Sequence, residues 1–182
     1  MGLSFSSLFS SLASLVRWSK EQDVRILMLG LDSAGKATDW GGGLYNTKYV
    51  AFPRLPLQYK NIKFQVWDLG GQSSIRPYWR CYFPNTAAII YVIDSADTER
   101  LKTSRSELLT MLSEEELAGV PLLVFCNKQD VDGALKPEQV SEELGLAGGE
   151  KERQWSVRGS SAIKGEGLEE GLDWLVNAIQ KK

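Results

Sequence analysis

The chain has 182 residues, of which 43% are apolar and 24% charged, and its formal net charge is −2. This size and composition predict one globular domain, and the lack of a basic excess argues against a nucleic-acid partner. Histidine is absent, which excludes Ser-His-Asp triads, His-paired thiolates and the usual zinc sites.

The first twenty residues carry the pattern of a membrane anchor. The chain begins Met-Gly-Leu-Ser-Phe-Ser, which fits the M-G-x-x-x-S/T pattern for removing Met1 and attaching myristate to Gly2. Apolar side chains then recur at helical spacing from Phe5 to Val16, so residues 1–20 are predicted to form an amphipathic helix too short to cross a bilayer. One acyl chain binds membranes only reversibly, so lipid and helix together predict a releasable anchor. The alternative is a helix that stays docked on the domain.

A buried strand over residues 24–29 is predicted to lead directly into a phosphate-binding loop. The loop's end glycines would let backbone N–H groups face phosphate oxygens, and its lysine would place a positive charge on the terminal phosphates. The G-x-x-x-x-G-K-S/T pattern then expects a hydroxyl for Mg²⁺, but Ala37 stands there and Thr38 comes one position late. The alternative is a tight turn that binds no ligand. The loop residues are Gly30, Leu31, Asp32, Ser33, Ala34, Gly35 and Lys36.

A second glycine-rich segment, Trp67 to Gln72, ends the next predicted strand, residues 62–68. Asp68 can hold Mg²⁺ through water, the N–H of Gly71 can face a terminal phosphate, and Gln72 can orient an attacking water. The alternative is a strand end followed by a plain glycine turn.

The rest of the chain alternates strands and helices. Strands are predicted over residues 87–94, 121–126 and 154–157, and helices over 98–117, 137–144 and 168–179. The alternation predicts an α/β fold with a doubly wound, mostly parallel sheet and a ligand at the carboxyl ends of its strands. Cys81 and Cys126 have apolar or aromatic neighbours in the sequence and no CxxC pairing, so we expect buried free thiols in a reducing compartment.

The segment after the strand at 121–126 predicts recognition of guanine. Asn127, Lys128 and Asp130 stand there as Asn-Lys-Gln-Asp. The Asp130 carboxylate can accept two hydrogen bonds from the N1–H and exocyclic amine of guanine, a pairing that adenine cannot offer. After the last strand, Ser161 and Ala162 can present backbone N–H groups to the base carbonyl. With the phosphate loop, these segments predict a site for GTP and GDP.

In this order, the motifs resemble those of the ADP-ribosylation factor (Arf) family of small GTPases. The resemblance covers residues 1–36 and 57–182. Residues 65–82 are most similar to the first member of the Arf-like group, which is a Golgi protein. The motifs that carry the resemblance are the acylation start, Gly30–Lys36, Trp67–Gln72, Ile75–Arg80, Asn127–Asp130 and Ser161-Ala162.

The resemblance implies a G domain over residues 21–182 that exchanges GDP for GTP, uses Mg²⁺, and releases its N-terminal helix onto Golgi membrane. It implies slow GTP hydrolysis, in which Lys36 stabilises phosphate charge and Gln72 orients water. We expect a monomer, in the cytosol and on the Golgi membrane, that works with an exchange factor, an activating protein and effectors such as golgins. Trp67, Trp79 and Tyr82 match positions near effectors in the family, although aromatic core packing is the alternative.

Residues 37–56 depart from the family. The family has there a helix and then a switch segment with a Thr that ligates Mg²⁺. This chain has Asp39-Trp40-Gly41-Gly42-Gly43, which disfavours a helix interior, and then Pro53 and Pro56. The chain as written is therefore expected to bind Mg²⁺ and sense the γ-phosphate poorly. This leaves two alternatives to a working switch: a nucleotide-binding module or inert product, and a membrane-bound scaffold that uses no nucleotide.

A frameshift or a splicing error is one hypothesis for this segment. Codons for Asp-Trp-Gly-Gly-Gly, read one base later, can encode Ile-Gly-Glu-Val-Val, which is similar to what the family carries here. The family frame would resume near Leu57. Sequencing the transcript tests the hypothesis, and a transcript in the written frame would exclude it.

Overall fold

The structure is a computed structural model, and it describes residues 22–36, 54–59, 62–146 and 153–181. The helix predicted over residues 1–20, the acylation site at Gly2, and Ala37 and Thr38 lie outside the described residues. Among the residues that are described, no helix is long and apolar enough to cross a membrane.

Six strands form one sheet in the described part of the chain, in the order β2-β3-β1-β4-β5-β6. The β2–β3 pair is antiparallel and all the other neighbours are parallel. The predicted α/β fold with a mostly parallel sheet is confirmed. The strands are β1 (Gln22–Leu29), β2 (Arg54–Tyr59), β3 (Ile62–Asp68), β4 (Ala88–Asp94), β5 (Leu122–Asn127) and β6 (Trp155–Gly159).

Strand β2 is an element that no sequence pattern predicted. It pairs antiparallel with β3, placing Leu57 opposite Phe64 and Pro56 opposite Gln65. Proline has no N–H to donate to a neighbouring strand, and a central strand is paired on both sides. A proline in the sequence therefore argues against a central strand. In the described sheet β2 lies at the edge, where proline is tolerated because only one side of the strand is paired.

In the parts of the chain that the structure describes, three α-helices and two short 3₁₀ helices accompany the sheet. Helix α2 (Pro137–Leu144) has the predicted bounds, begins with proline and is followed by Gly145, whose φ of 69° suits a helix C-cap. The helix predicted over 98–117 is shorter, because a turn at Ser113 separates it from the 3₁₀ helix Glu115–Leu117. That shortened helix is α1 (Leu101–Leu112), and the remaining two are α3 (Leu168–Gln180) and the 3₁₀ helix Arg76–Tyr82, called the 76–82 helix below.

Helices cover both faces of the sheet, as a doubly wound fold requires. Side chains of β1 alternate between the two layers, so that Leu27 belongs to the buried cluster that also contains Leu108 of α1 and Val140 of α2. Ile26 packs in the opposite layer with Leu175 of α3. Each such buried leucine or isoleucine contributes about 2 kcal/mol of transfer free energy. These two layers hold the strand ends, and the loops after them, in fixed positions.

The two cysteines lie in different environments. Cys126, in β5, is buried as predicted, and burial, with the nearby charge of Glu138, raises its pKa to about 12. The prediction for Cys81 is wrong, because its side chain is exposed. The 76–82 helix buries only Trp79, so aromatic neighbours in the sequence do not bring Cys81 into the core.

Candidate nucleotide-binding site

The predicted loops meet at one edge of the sheet. Strands β1, β3, β4, β5 and β6 run parallel, so their carboxyl ends lie together. The register places Met28 opposite Asp68, and Asp94 opposite Asn127. The phosphate loop, the Asp68–Gln72 segment and the Asn127–Asp130 segment are therefore neighbours, although they are far apart in the sequence.

The two glycines of the phosphate loop occupy positions that no larger residue can take. Gly30 has a φ of 145°, and a Cβ there would lie 2.2 Å from the carbonyl oxygen of Val92. Gly35 has a φ of 99°, and a Cβ there would lie 2.2 Å from Nδ2 of Asn127. Ser33 also has a left-handed backbone, with a φ of 63°. The loop thus follows a sharply curved path, of the kind that turns backbone N–H groups toward an anion.

Lys36 is held inside this loop. Its side chain is buried and donates hydrogen bonds to the carbonyl oxygens of Gly30 at 2.9 Å and Leu31 at 2.8 Å. These bonds fix the ammonium group over the loop, where a terminal phosphate is expected. Its positive charge also reaches Asp68.

Asn127 joins the phosphate loop to the loop after β6. Its Nδ2 donates to the carbonyl oxygen of Ala34 at 2.9 Å, and its Oδ1 accepts from the backbone N–H of Ala162 at 3.0 Å and the hydroxyl of Ser160 at 3.4 Å. The side chain is 2% exposed. The Ala162 N–H predicted to face the base thus has a partner in Asn127, which a guanine carbonyl would have to share or replace.

Asp130 is oriented by Ser161. The hydroxyl of Ser161 donates to Oδ1 of Asp130, and this hydrogen bond lowers the pKa of the carboxyl group. The hydrogen bond therefore favours the ionised form of the exposed Asp130, which is the form that can act as an acceptor pair for guanine. Lys128 has a left-handed backbone with a φ of 67° and pairs with the carboxylate of Asp94.

Asp68 stands at the end of β3 with a buried oxygen. In the described residues, its Oδ1 has no hydrogen-bond partner. Burial raises the pKa of Asp68 to about 6, and the charge of Lys36 offsets part of this rise. The described residues contain no cluster of three or more Asp, Glu, Cys or His side chains that could hold a metal alone. Mg²⁺ usually takes one or two carboxylates with waters and substrate phosphates, so a single buried carboxylate fits it.

The segment after Asp68 lies directly on the phosphate loop. A Cβ at Gly71 would lie 2.3 Å from the backbone nitrogen of Asp32 and 2.4 Å from the carbonyl oxygen of Gly30, so only glycine fits. Gln72 follows with its side chain exposed. Its Oε1 would lie 2.7 Å from a Cβ at Gly70, so the amide is folded back over that residue.

Side chains of the 76–82 helix donate hydrogen bonds to the backbone carbonyl groups of the segment after Asp68. Trp79 donates from its indole N–H to the carbonyl oxygen of Gly70 at 2.9 Å, and Arg76 donates from Nε to that of Gly71 at 2.8 Å. Trp79 is buried, so core packing accounts for much of its role.

The rings of Trp67 and Tyr82 are in contact beside Arg25 of β1. Their rings lie 5.5 Å apart, and the guanidinium group of Arg25 lies 4.6 Å above the Trp67 ring. Both aromatic side chains are partly buried, so each packs against the core and is also partly accessible at the surface of the domain.

Sequence reasoning missed the arginines around Asp32. Arg76 and Arg100 approach opposite carboxylate oxygens of that residue, at 3.7 Å and 3.2 Å. The pattern Ile75–Arg80 marked Arg76 as a family residue but gave it no role. No local periodicity could pair these residues, because the contacts depend on how the helices are placed.

Comparisons with known proteins agree with this geometry. A profile of the ADP-ribosylation factor family matches residues 8–179. ADP-ribosylation factor-like protein 1 of Saccharomyces cerevisiae is 52% identical, over 100% of this chain and 99% of that protein. The Drosophila melanogaster protein of the same name is 51% identical, over 88% of this chain and 92% of that protein.

A solved structure shows the same fold. The Arl6 BBS3 small GTPase from Trypanosoma brucei, with the bound nucleotide analogue GppNp, matches with a TM-score of 0.80 and 31% identity. The match covers 88% of this chain and 99% of that one. The family match and these relatives span most of the chain, which therefore belongs to the ADP-ribosylation factor family of small GTPases, proteins that bind guanine nucleotides and hydrolyse GTP.

Proposed function

We propose that the chain is a GDP/GTP switch that regulates vesicle transport from the cytoplasmic face of the Golgi. The observation that supports it most directly is the guanine end of the site, where Asn127 joins two loops and the hydroxyl of Ser161 donates a hydrogen bond to Asp130 that favours its ionised form. A site built for one base is what a nucleotide switch needs. The Golgi assignment depends on the resemblance of residues 65–82 to the Arf-like group.

In this proposal the chain's own residues divide the work on the nucleotide. The phosphate loop and Lys36 bind and neutralise the phosphates, Asp130 selects guanine, and Gln72 orients the attacking water. Asp68 would hold Mg²⁺ through water, and the cation would supply charge neutralisation on the phosphates. The site residues are Gly30, Leu31, Asp32, Ser33, Ala34, Gly35, Lys36, Thr38, Asp68, Gly71, Gln72, Asn127, Lys128, Asp130, Ser161 and Ala162.

Membrane binding is the second part of the proposal. Myristate on Gly2 and the amphipathic residues 1–20 would dock the GTP form on Golgi membrane, where an exchange factor loads it. Effectors such as golgins would then bind, and an activating protein would end the signal. Flotation with liposomes tests this: the acylated chain with a GTP analogue should float, whereas the chain with GDP, or with Gly2→Ala, should stay in solution.

Nucleotide titration tests the switch itself. Purified full-length chain is titrated with fluorescent GDP and GTP analogues, with and without Mg²⁺. Tight, Mg²⁺-dependent binding of both supports the switch, whereas weak or Mg²⁺-independent binding favours a nucleotide-binding module whose residues 37–56 cannot complete the metal site. Asp130→Ala should remove the preference for guanine over adenine nucleotides. The matched control is Asp132→Ala, an exposed carboxylate two residues away.

A further inference from the structure

We propose that Arg76 is a positioning residue that couples the phosphate loop to Gln72, with Asp32 as its partner. The inference rests on the GTPase activity and on Gln72 as the residue that orients water. It gives a role to a side chain that lies outside the nucleotide-binding motifs.

One guanidinium group contacts three parts of the domain. Arg76 donates from Nε to the carbonyl oxygen of Gly71 at 2.8 Å, and from Nη1 to Oε1 of Glu107, in α1, at 3.0 Å. Its Nη2 lies 3.7 Å from Oδ1 of Asp32, in the phosphate loop. The Arg76 side chain is only 12% exposed. A planar guanidinium with donors fixed in a fork suits such a three-way contact, whereas a lysine ammonium does not.

Asp32 is itself fixed from the other side. Nη1 of Arg100 lies 3.2 Å from its Oδ2, and Nε of Arg100 donates to Oδ2 of Asp97 at 2.6 Å. The carboxylate of Asp32 therefore lies between two arginines, each using a different oxygen. In this arrangement Oδ1 of Asp32 faces Arg76 and Oδ2 faces Arg100.

The contact that Arg76 spans is the one that places Gln72. Gly71 rests on the backbone of Asp32, with room for no side chain between them. Arg76 binds the carbonyl of Gly71 on one side of this contact and the carboxylate of Asp32 on the other. Because the peptide group is planar, fixing the Gly71 carbonyl also fixes the N–H and the Cα of Gln72. Arg76 thus positions the Cα from which the Gln72 side chain leaves the chain.

The same two helices offer a matched control. Arg80, one turn further along the 76–82 helix, pairs with Glu114, which follows α1. Among the described contacts, the Arg80–Glu114 pair reaches neither Asp32 nor Gly71. It shares the helix and the charge type with Arg76, but not the position beside the phosphate loop.

The test uses the full chain loaded with GTP. It compares three variants, Arg76→Gln, Asp32→Asn and the two combined, with the control variant Arg80→Gln. Each of the first two should slow single-turnover hydrolysis about tenfold, and the double variant should be no slower than either, because the two residues act as one unit. Arg76→Lys should not restore the rate, since it lacks the fork. Arg80→Gln should stay within about twofold of the parent, as exposed ion pairs contribute little.

Hydrogen exchange of residues 69–75 gives the readout that a general loss of stability would not mimic. We expect faster exchange there in Arg76→Gln and Asp32→Asn and parent-like exchange in Arg80→Gln, with urea midpoints recorded for all variants. Equal effects of Arg76→Gln and Arg80→Gln, additive losses in the double variant, or faster exchange with unchanged hydrolysis would each overturn the proposal. If the parent chain hydrolyses no GTP, the proposed function fails, and the exchange pattern alone decides whether Arg76 couples the two loops.

Discussion

The base end and the phosphate end of the site are held by different kinds of contact. At the base end, Asn127 makes short, buried hydrogen bonds to backbone groups of two loops. At the phosphate end, Lys36 also makes short, buried hydrogen bonds, but Asp32, whose side chain is 42% exposed, is held by ion pairs to Arg76 and Arg100 from separate elements, and a buried oxygen of Asp68 lacks a partner in the described residues. Short buried bonds preserve one geometry, whereas long ion pairs can exchange partners when a phosphate or a cation arrives. We infer that the base end is preformed and that the phosphate end responds to the ligand.

Asn127→Ala would break the base end and should have the largest effect. It leaves the buried carbonyl of Ala34 and the N–H of Ala162 without this partner, which should lower the free energy of unfolding by about 4 kcal/mol. Guanine nucleotide affinity should fall about a hundredfold, which corresponds to about 2.7 kcal/mol, because the two loops lose the side chain that joins them. Urea unfolding and nucleotide titration measure both. Asn177→Ala, on an exposed position of α3, is the control. A loss below about 1 kcal/mol would mean that other contacts hold the two loops together.

Asp68→Asn tests the phosphate end through the pH dependence of the free energy of unfolding. A rise in the pKa of Asp68 from 3.8 to about 6 means that the folded state favours the neutral acid. The neutral Asp68 contributes its full share to the free energy of unfolding below about pH 4, and this contribution is lost as the pH rises through 6. The loss amounts to about 3 kcal/mol at pH 7.5. In EDTA, Asp68→Asn should therefore be about 3 kcal/mol more stable than the parent at pH 7.5, and only about 1 kcal/mol more stable at pH 4.5.

Urea unfolding at the two pH values measures this difference, with the exposed Asp132→Asn as the control. Saturating Mg²⁺ and GDP should remove the advantage of Asp68→Asn, because the parent carboxylate then has a cation nearby. An advantage that is the same at both pH values would contradict the explanation from ionisation.

Gly71→Ala separates a steric clash from backbone strain. Its Cβ would meet the backbone of Asp32 at 2.3 Å, so the segment must move off the phosphate loop, at a cost of about 2 kcal/mol and with loss of hydrolysis. Gly133→Ala is the matched control. Gly133 has a φ of 80° with no atom within 4 Å of an added Cβ in the described residues, so it should cost about 1 kcal/mol of strain and leave hydrolysis unchanged. Equal hydrolysis rates in the two variants would contradict the close contact.

Ser161→Ala should have the smallest effect. It removes the hydrogen bond that keeps the pKa of Asp130 low, yet leaves the carboxylate in place. We expect GDP affinity to fall about fivefold at pH 7, the effect of one hydrogen bond, and more steeply than in the parent as the pH drops toward 4. Titrations with GDP across that range measure it. A parent-like pH profile would show that Ser161 does not set the ionisation of Asp130.

The sequence predicted which loops meet at the candidate site better than it predicted which contacts hold those loops together. The loop after β1 and the segment Asn127–Asp130 could be recognised because each follows an apolar strand, and parallel strands must end at the same edge. The contacts of Arg76 could not, since they join residues whose spacing along the chain carries no periodic signal. Strand β2 was hidden by Pro56, which only its edge position makes acceptable. Local pattern therefore gives the loops, and tertiary placement decides which long side chains connect them.

The exposed thiol of Cys81 makes the unmodified protein suitable for single-site labelling. The chain has only one other cysteine, Cys126, which is buried and has its pKa raised to about 12, so a maleimide at neutral pH should attach at Cys81 alone. A fluorophore on Cys81 would be attached to the 76–82 helix, which donates hydrogen bonds to the carbonyl oxygens of Gly70 and Gly71. Stopped-flow recordings of such a label could time the rearrangement of this helix during a single turnover, without a cysteine being introduced or removed.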